Sequence, residues 1–207
     1  MALTPDERAQ VEAIHHAHSR QAREVLNNSR MGADDRQIQL ARNKVAAQRQ
    51  LGVLRAQATQ RAQATEGAAR CRAFGLPPGA DGSMVLAHRD ARQHVMGATP
   101  GAAARLLEDA LDSGDVTMAT AVGQHAFGQV QADPLGAPHW GAIVEHFAAS
   151  TPARQQAVSE LAGQAADNGD RRAQIAESML WHVTTPAEIR GMNADQLAAR
   201  PLSTETD

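Results

Sequence analysis

The chain has 207 residues, room for one domain with an appendage or two small ones, and it carries no Tyr, three Phe and two Trp. All five aromatics fall at Phe74 or later (Phe74, Phe127, Trp140, Phe147, Trp181), which leaves the first third without conventional core anchors. Residues 1–75 hold 12 Lys/Arg against 7 Asp/Glu, whereas residues 76–207 hold 8 against 16, so a basic front adjoins an acidic body and points to nucleic acid or further copies of the chain as partners.

The pattern predicts an all-α fold. Thr4-Pro5-Asp6-Glu7 opens a helix by a capping box with Pro at the first helical position, and Val11, Ile14, His18, Val25 and Leu26 continue it to about Asn28. A second helix is expected from about Asp34 to Arg72, interrupted only by Gly52 and Gly67 and spanning about 60 Å. Its apolar positions (Ile38, Ala41, Val45, Leu51, Leu54, Ala58, Ala62, Ala69) are mostly Ala beyond Leu54, a stripe that buries little area per turn. The two helices are therefore expected to form a hairpin, coiled-coil-like arm (1–73) that associates with copies of itself through Val11, Ile14, His18, Val25, Ile38, Val45, Leu51 and Leu54.

Two Pro and three Gly between Phe74 and Gly82 mark a hinge, taken as the domain boundary (74–82), with a small helical domain over 83–200. Within it, helices are expected over Met84–Met96, from Thr99-Pro100 to Ser113-Gly114, after the Asp115 cap, from Pro138 through Trp140, Ile143, Val144 and Phe147, and from Thr151-Pro152 to Asp167-Asn168-Gly169. A last well-marked helix is read from Ile175, Met179, Leu180 and Val183. Thr185-Pro186-Ala187-Glu188 reads as a further capping box, Asn193 as a cap, and residues 201–207 as a disordered tail. No run alternates with the period of a strand.

A catalytic or metal-binding signature is missing from this reading. His15, His16 and His18, with Glu12 nearby, lack the ligands that complete a tetrahedral site. His139, Glu145 and His146 miss zinc-hydrolase spacing, and His88, Asp90 and His94 have no nucleophile to serve. Glu108, Asp109 and Asp112 read as a solvated acidic face. The lone Cys71 excludes an intrachain disulfide, and no apolar run is long enough to span a bilayer. No cofactor, no metal and no membrane partner is expected. Nineteen Arg against the single Lys44 point to a GC-rich bacterial or phage genome, and the lone Cys with no spanning run or signal-peptide pattern is read as a cytoplasmic setting, or the virion if the chain is phage-derived. Arg36, Arg42, Lys44, Arg49, Arg55, Arg61, Arg70 and Arg72 make nucleic acid the alternative partner, although they are scattered around the helix without aromatic platforms.

An Arg/Gln/Ala helical arm, a Pro-Pro-Gly hinge and a small helical domain running from Thr99-Pro100 through Leu111-Asp112-Ser113-Gly114-Asp115 to Phe127 resemble helical proteins encoded among the structural genes of actinobacterial phages and prophages. The resemblance covers the layout and residues 99–165, carries no functional residue across, and implies a part in virion structure or assembly. Scaffolding proteins of that kind often end in a basic tail, whereas this chain ends acidic. The expected function is a non-enzymatic structural, assembly or protein-interaction role, oligomerising through the arm and meeting another structural protein. A nucleic-acid-associated protein and a small α-solenoid-like peptide-binding adaptor are the alternatives.

Overall fold

The computed structural model describes residues 3–133, 135–169 and 171–203. Among these residues the chain is all-α, with no strand. The helices are α1 (Pro5–Asn27), α2 (Ala33–Phe74), α3 (Gly82–Val95), α4 (Pro100–Ser113), α5 (Val116–Ala132), α6 (Ala137–Ala149), α7 (Pro152–Gly169), α8 (Arg171–Leu180) and the short α9 (Ala194–Ala198). The chain divides into two compact units, Met1–Ala62 with Asp170–Asp207, and Gln63–Gly169. The division therefore falls inside α2, and of the expected hinge 74–82 only residues 75–81 form a loop, within the second unit.

That loop misleads because it breaks a helix without breaking the packing. Ala69, Ala73 and Phe74, the last turns of α2, are core residues of the second unit and are at most 6% exposed. Between Ala62 and Gln63 nothing in the sequence stops a helix, so α2 contributes residues to the cores of both units.

The first unit starts from α1, whose Thr4 capping box forms in full: Thr4 Oγ1 accepts from the Glu7 N–H, and the Thr4 N–H donates to Glu7 at 2.8 Å. Two apolar clusters and one ion pair set α1 antiparallel to the front of α2. Val25 shares a cluster with Ile38, Leu40 and Ala41; Val11 shares one with Ala47, Leu51 and Leu54; Glu7 pairs with Arg61 at 2.8 Å. The narrow stripe is closed by the chain's own end. Val183, with Leu180 and Trp181, completes the Val11 cluster, and Ile189 and Leu197 complete the Val25 cluster. Arg42 donates to the Ala198 and Arg200 carbonyls, satisfying groups that α9 leaves open at its C-terminus.

The C-terminal segment departs from its sequence pattern in three places. α8 stops at Leu180, so Val183 lies outside it, and Ile175 and Met179 are 51% and 69% exposed. Thr185 caps nothing: Ala187–Ile189 is a single 3₁₀ turn preceded by Pro186 with no side-chain cap, while Asn193 does cap α9. Of the expected disordered tail, Pro201 to Ser203 are ordered, with Leu202 against the core and the Ser203 N–H and Oγ both donating to Asp35. Residues 204–207 lie outside the described residues.

In the second unit α5 is the central helix. Ala119, Thr120, Ala121, Val122 and Gly123 are consecutive and all buried, as a helix wrapped on every side requires, and α3, α4 and α6 pack against it. Thr99, Asp115 and Thr151 each accept a backbone N–H at the start of α4, α5 and α7. α3 is capped by Asp81, earlier than its apolar pattern begins. Gly114 ends α4 in the left-handed conformation at φ 73°. Scarce aromatics are concentrated at one point: Phe74 stacks on Phe147 at 5.8 Å and tilts against Phe127 at 5.4 Å. Gly123 lets Phe147 lie directly on the α5 backbone. Arg154 of α7 sits 4.8 Å over the same Phe147 ring and donates to the buried Thr120 hydroxyl.

Candidate functional site: a cationic cavity over an aromatic floor

The residues assigned to a self-association seam are inside the first unit. Val11, His18, Val25, Ile38, Val45, Leu51 and Leu54 are each at most 8% exposed, and Ile14 is partly buried in the Val11 cluster. Their cover is the segment from Leu180 to Leu202, more than a hundred residues downstream, which sequence periodicity has no means to register.

The histidines of α1 belong to that closure. His15 Nε2 donates to the Leu180 carbonyl at 2.8 Å, and His18 Nε2 to the Thr184 carbonyl at 3.1 Å. His88 Nδ1 lies 3.4 Å from the Thr117 carbonyl, joining α3 to α5. Among the described residues no three His, Cys, Asp or Glu side chains gather where they would hold a metal ion. Several bases of the scattered cationic set are committed within the chain: Arg36 to the Asn28 and Met31 carbonyls, Arg42 as above, Arg61 to Glu7, Arg70 to Glu66 and Arg72 to Glu160. No helix among the described residues is long and apolar enough to cross a membrane.

The feature with the clearest binding chemistry lies in the second unit, where α2, α3 and α5 enclose a cavity of about 270 Å³. Phe74, Phe127 and Val95 are its apolar floor, and Met96, 74% exposed, stands among its lining residues. Arg70, Arg92, Gln124 and His125 are its polar lining. Among the described residues no carboxylate lines it. Arg70 spends Nε on Glu66 at 2.9 Å, leaving its two terminal nitrogens without a partner among the described residues. Arg92 and Gln124 make no hydrogen bond there at all.

His125 stands edge-on to Trp140 at 5.3 Å, and burial holds its imidazole below the ordinary histidine range. Four polar groups thus line one cavity beside two packed rings: the Arg92 and Gln124 side chains, the two terminal nitrogens of Arg70, and the His125 ring that also packs on Trp140. Sequence reasoning named Arg70 only as one of a scattered set and passed over Arg92, Gln124 and His125. These residues lie on three helices, and nothing in their spacing links them.

A second cavity of about 520 Å³ shares Arg70 and is lined by Val130, Gln131, Leu161, Gln164 and Ala165. A third, of about 360 Å³, lies between α4 and α6, where Gly101, Ala104 and Ala142 keep the walls low and His139 and His146 stand beside Ile143. No protein-family model matches the chain, and neither the curated proteins nor the solved structures contain a significant match.

Proposed function

We propose that this chain is a non-enzymatic protein-interaction protein, in which the helical unit Gln63–Gly169 captures a segment of a partner. The observation that carries the reading is the cavity between α2, α3 and α5: a packed aromatic floor rimmed by polar groups, free of carboxylates and left unused by the fold. The earlier candidate surface on the hairpin is occupied by residues 180–202, which moves the weight from an arm that self-associates to a domain that docks. A part in virion assembly, implied by the resemblance to phage structural-gene proteins, fits a docking role equally well. Catalysis has less support, because nothing near the cavity pairs a nucleophile with a base.

The test is selection of a random peptide library on the full-length chain. Peptides that converge on a motif, bind with dissociation constants of about 1–100 μM and are released by Arg92→Glu support the proposal. A library that yields nothing above background, or binders indifferent to changes around the cavity, refutes it.

A further inference from the structure

Resting on that reading, we infer that the cavity between α2, α3 and α5 recognises a carboxylate carried on an apolar body, as at the free C-terminus of a peptide ending in a large aliphatic or aromatic residue. The cavity, about 270 Å³, is just below the range of drug-sized pockets, a size suited to one side chain and its terminal carboxylate.

Arg92 is exposed, and among the described residues its side chain has no partner and no carboxylate shares the lining with it. Arg70 retains two terminal nitrogens, and a guanidinium offers its donors in the fork that a carboxylate accepts. The Gln124 amide adds a neutral donor, and the half-buried His125 ring closes the polar side. Beneath them lie Phe74 and Phe127, tilted 47° to each other and only 6% and 5% exposed, and the exposed Met96 beside them completes a side that offers carbon rather than hydrogen-bonding groups. A ligand charged throughout would leave this floor unused, and an uncharged apolar one would leave the guanidiniums unused. The ligand that satisfies both halves has one anionic end and one greasy end.

Glu66 supplies an internal comparison. Its carboxylate already occupies Arg70 Nε, so a ligand has to share that guanidinium with it. Removing both charge and acceptor by Glu66→Ala frees the third donor position and is expected to tighten binding.

The experiment uses the full-length chain, with calorimetry and the NMR signals of the His125 imidazole as readouts. The probes are a short peptide ending in Leu as the free acid, the same peptide as the C-terminal amide, and 4-phenylbutyrate. The inference expects both acids to bind and shift His125, the amide to fall by at least about tenfold, and Arg92→Gln and Arg70→Gln each to weaken the acids by at least about tenfold. Arg105→Gln, on the exposed side of α4, is expected to leave binding unchanged. Equal binding of acid and amide, indifference to both cavity arginines, or no binding at several millimolar overturns it. If internal peptide sequences bind the cavity with no need of a carboxylate, the interaction role stands and this inference falls. If only the small acid binds, the carboxylate chemistry stands and peptide capture falls.

Discussion

Replacing Ile189 by Ala tests whether the C-terminal segment is a structural member of the first unit. Ile189 is 1% exposed, lies in the 3₁₀ turn Ala187–Ile189, and packs in one cluster with Val25, Ile38, Leu40, Ala41 and Leu197. Truncating a buried Ile to Ala costs about 2–5 kcal/mol, the transfer free energy of the lost methyls and methylene together with the cavity left behind. Total stabilities are about 5–15 kcal/mol, so the loss is a large fraction. A loss of about 3 kcal/mol lowers the midpoint by about 12–24 °C if the first unit melts as its own cooperative body of that size, and by about 6–12 °C if the whole chain melts together. Thermal and urea unfolding followed by circular dichroism measures the loss. Native-state hydrogen exchange then locates it, with protection falling in α1 and the front of α2 and holding in α5. Ile175→Ala, at a half-exposed position on α8, is the control and is expected to stay within about 0.5 kcal/mol. If Ile189→Ala behaves like that control, the packing account of the first unit is wrong.

In the second unit, a Cβ at Gly123 would lie 2.5 Å from the Phe147 ring, so Gly123→Ala is expected to cost about 1–3 kcal/mol despite its gain in helix propensity, whereas Gly163→Ala, with open space around it, is expected to gain about 0.5–1 kcal/mol in the same denaturation assay. Below pH 5 stability is expected to fall: the Thr4 N–H and then Arg61 hold the Glu7 carboxyl below its usual range, and the Thr117 hydroxyl and Met118 N–H do so for Asp115. The unfolded chain therefore takes up those protons first. Their stabilisation is complete above the unfolded carboxylate pKa values near about 4 and is lost as pH falls through the lower folded ones, so Glu7→Gln and Asp115→Asn should both flatten the acid slope, and an unchanged slope would contradict the assignment. Arg42→Ala leaves the Ala198 and Arg200 carbonyls without their donor, and faster amide exchange confined to residues 194–200 is the expected signature.

Local grammar was legible in the sequence wherever it acts within a few residues. Thr4, Thr99, Asp115, Thr151 and Asn193 cap the helices they were expected to cap, because a cap is decided by a side chain and an N–H two or three positions away. Thr185 fails by the same logic, since the three residues after Pro186 make one 3₁₀ turn before the chain extends again at Arg190. The packing partners were not legible. Val183 and Ile189 are isolated apolar residues in a non-repetitive segment, and no periodicity assigns them to Leu51 or Val25. The cavity residues were hidden for a related reason: Arg92 and His125 become neighbours of Arg70 only through the packing of α3 and α5 on the end of α2.

The poor α1–α2 stripe implies a need for cover, from the hairpin itself or from another copy, and the segment 180–202 of the same chain supplies cover that the stripe does not announce. That cover has a measurable consequence for dissecting the chain. A cut at the Pro/Gly loop, the position the sequence recommends, takes Val183, Ile189 and Leu197 away from the first core and Ala69, Ala73 and Phe74 away from the second. Residues 1–75 alone are therefore expected to aggregate or melt, because their uncovered seam includes Val11, Leu40 and Leu51, each at most 1% exposed in the intact chain. Residues 63–169 keep every member of the largest core cluster and are expected to unfold cooperatively as a monomer. Light scattering and thermal melts of the two fragments decide the matter. A folded, monomeric 1–75 with intact exchange protection would show that the hairpin needs no cover, and the assignment of residues 180–202 as its third layer would be lost.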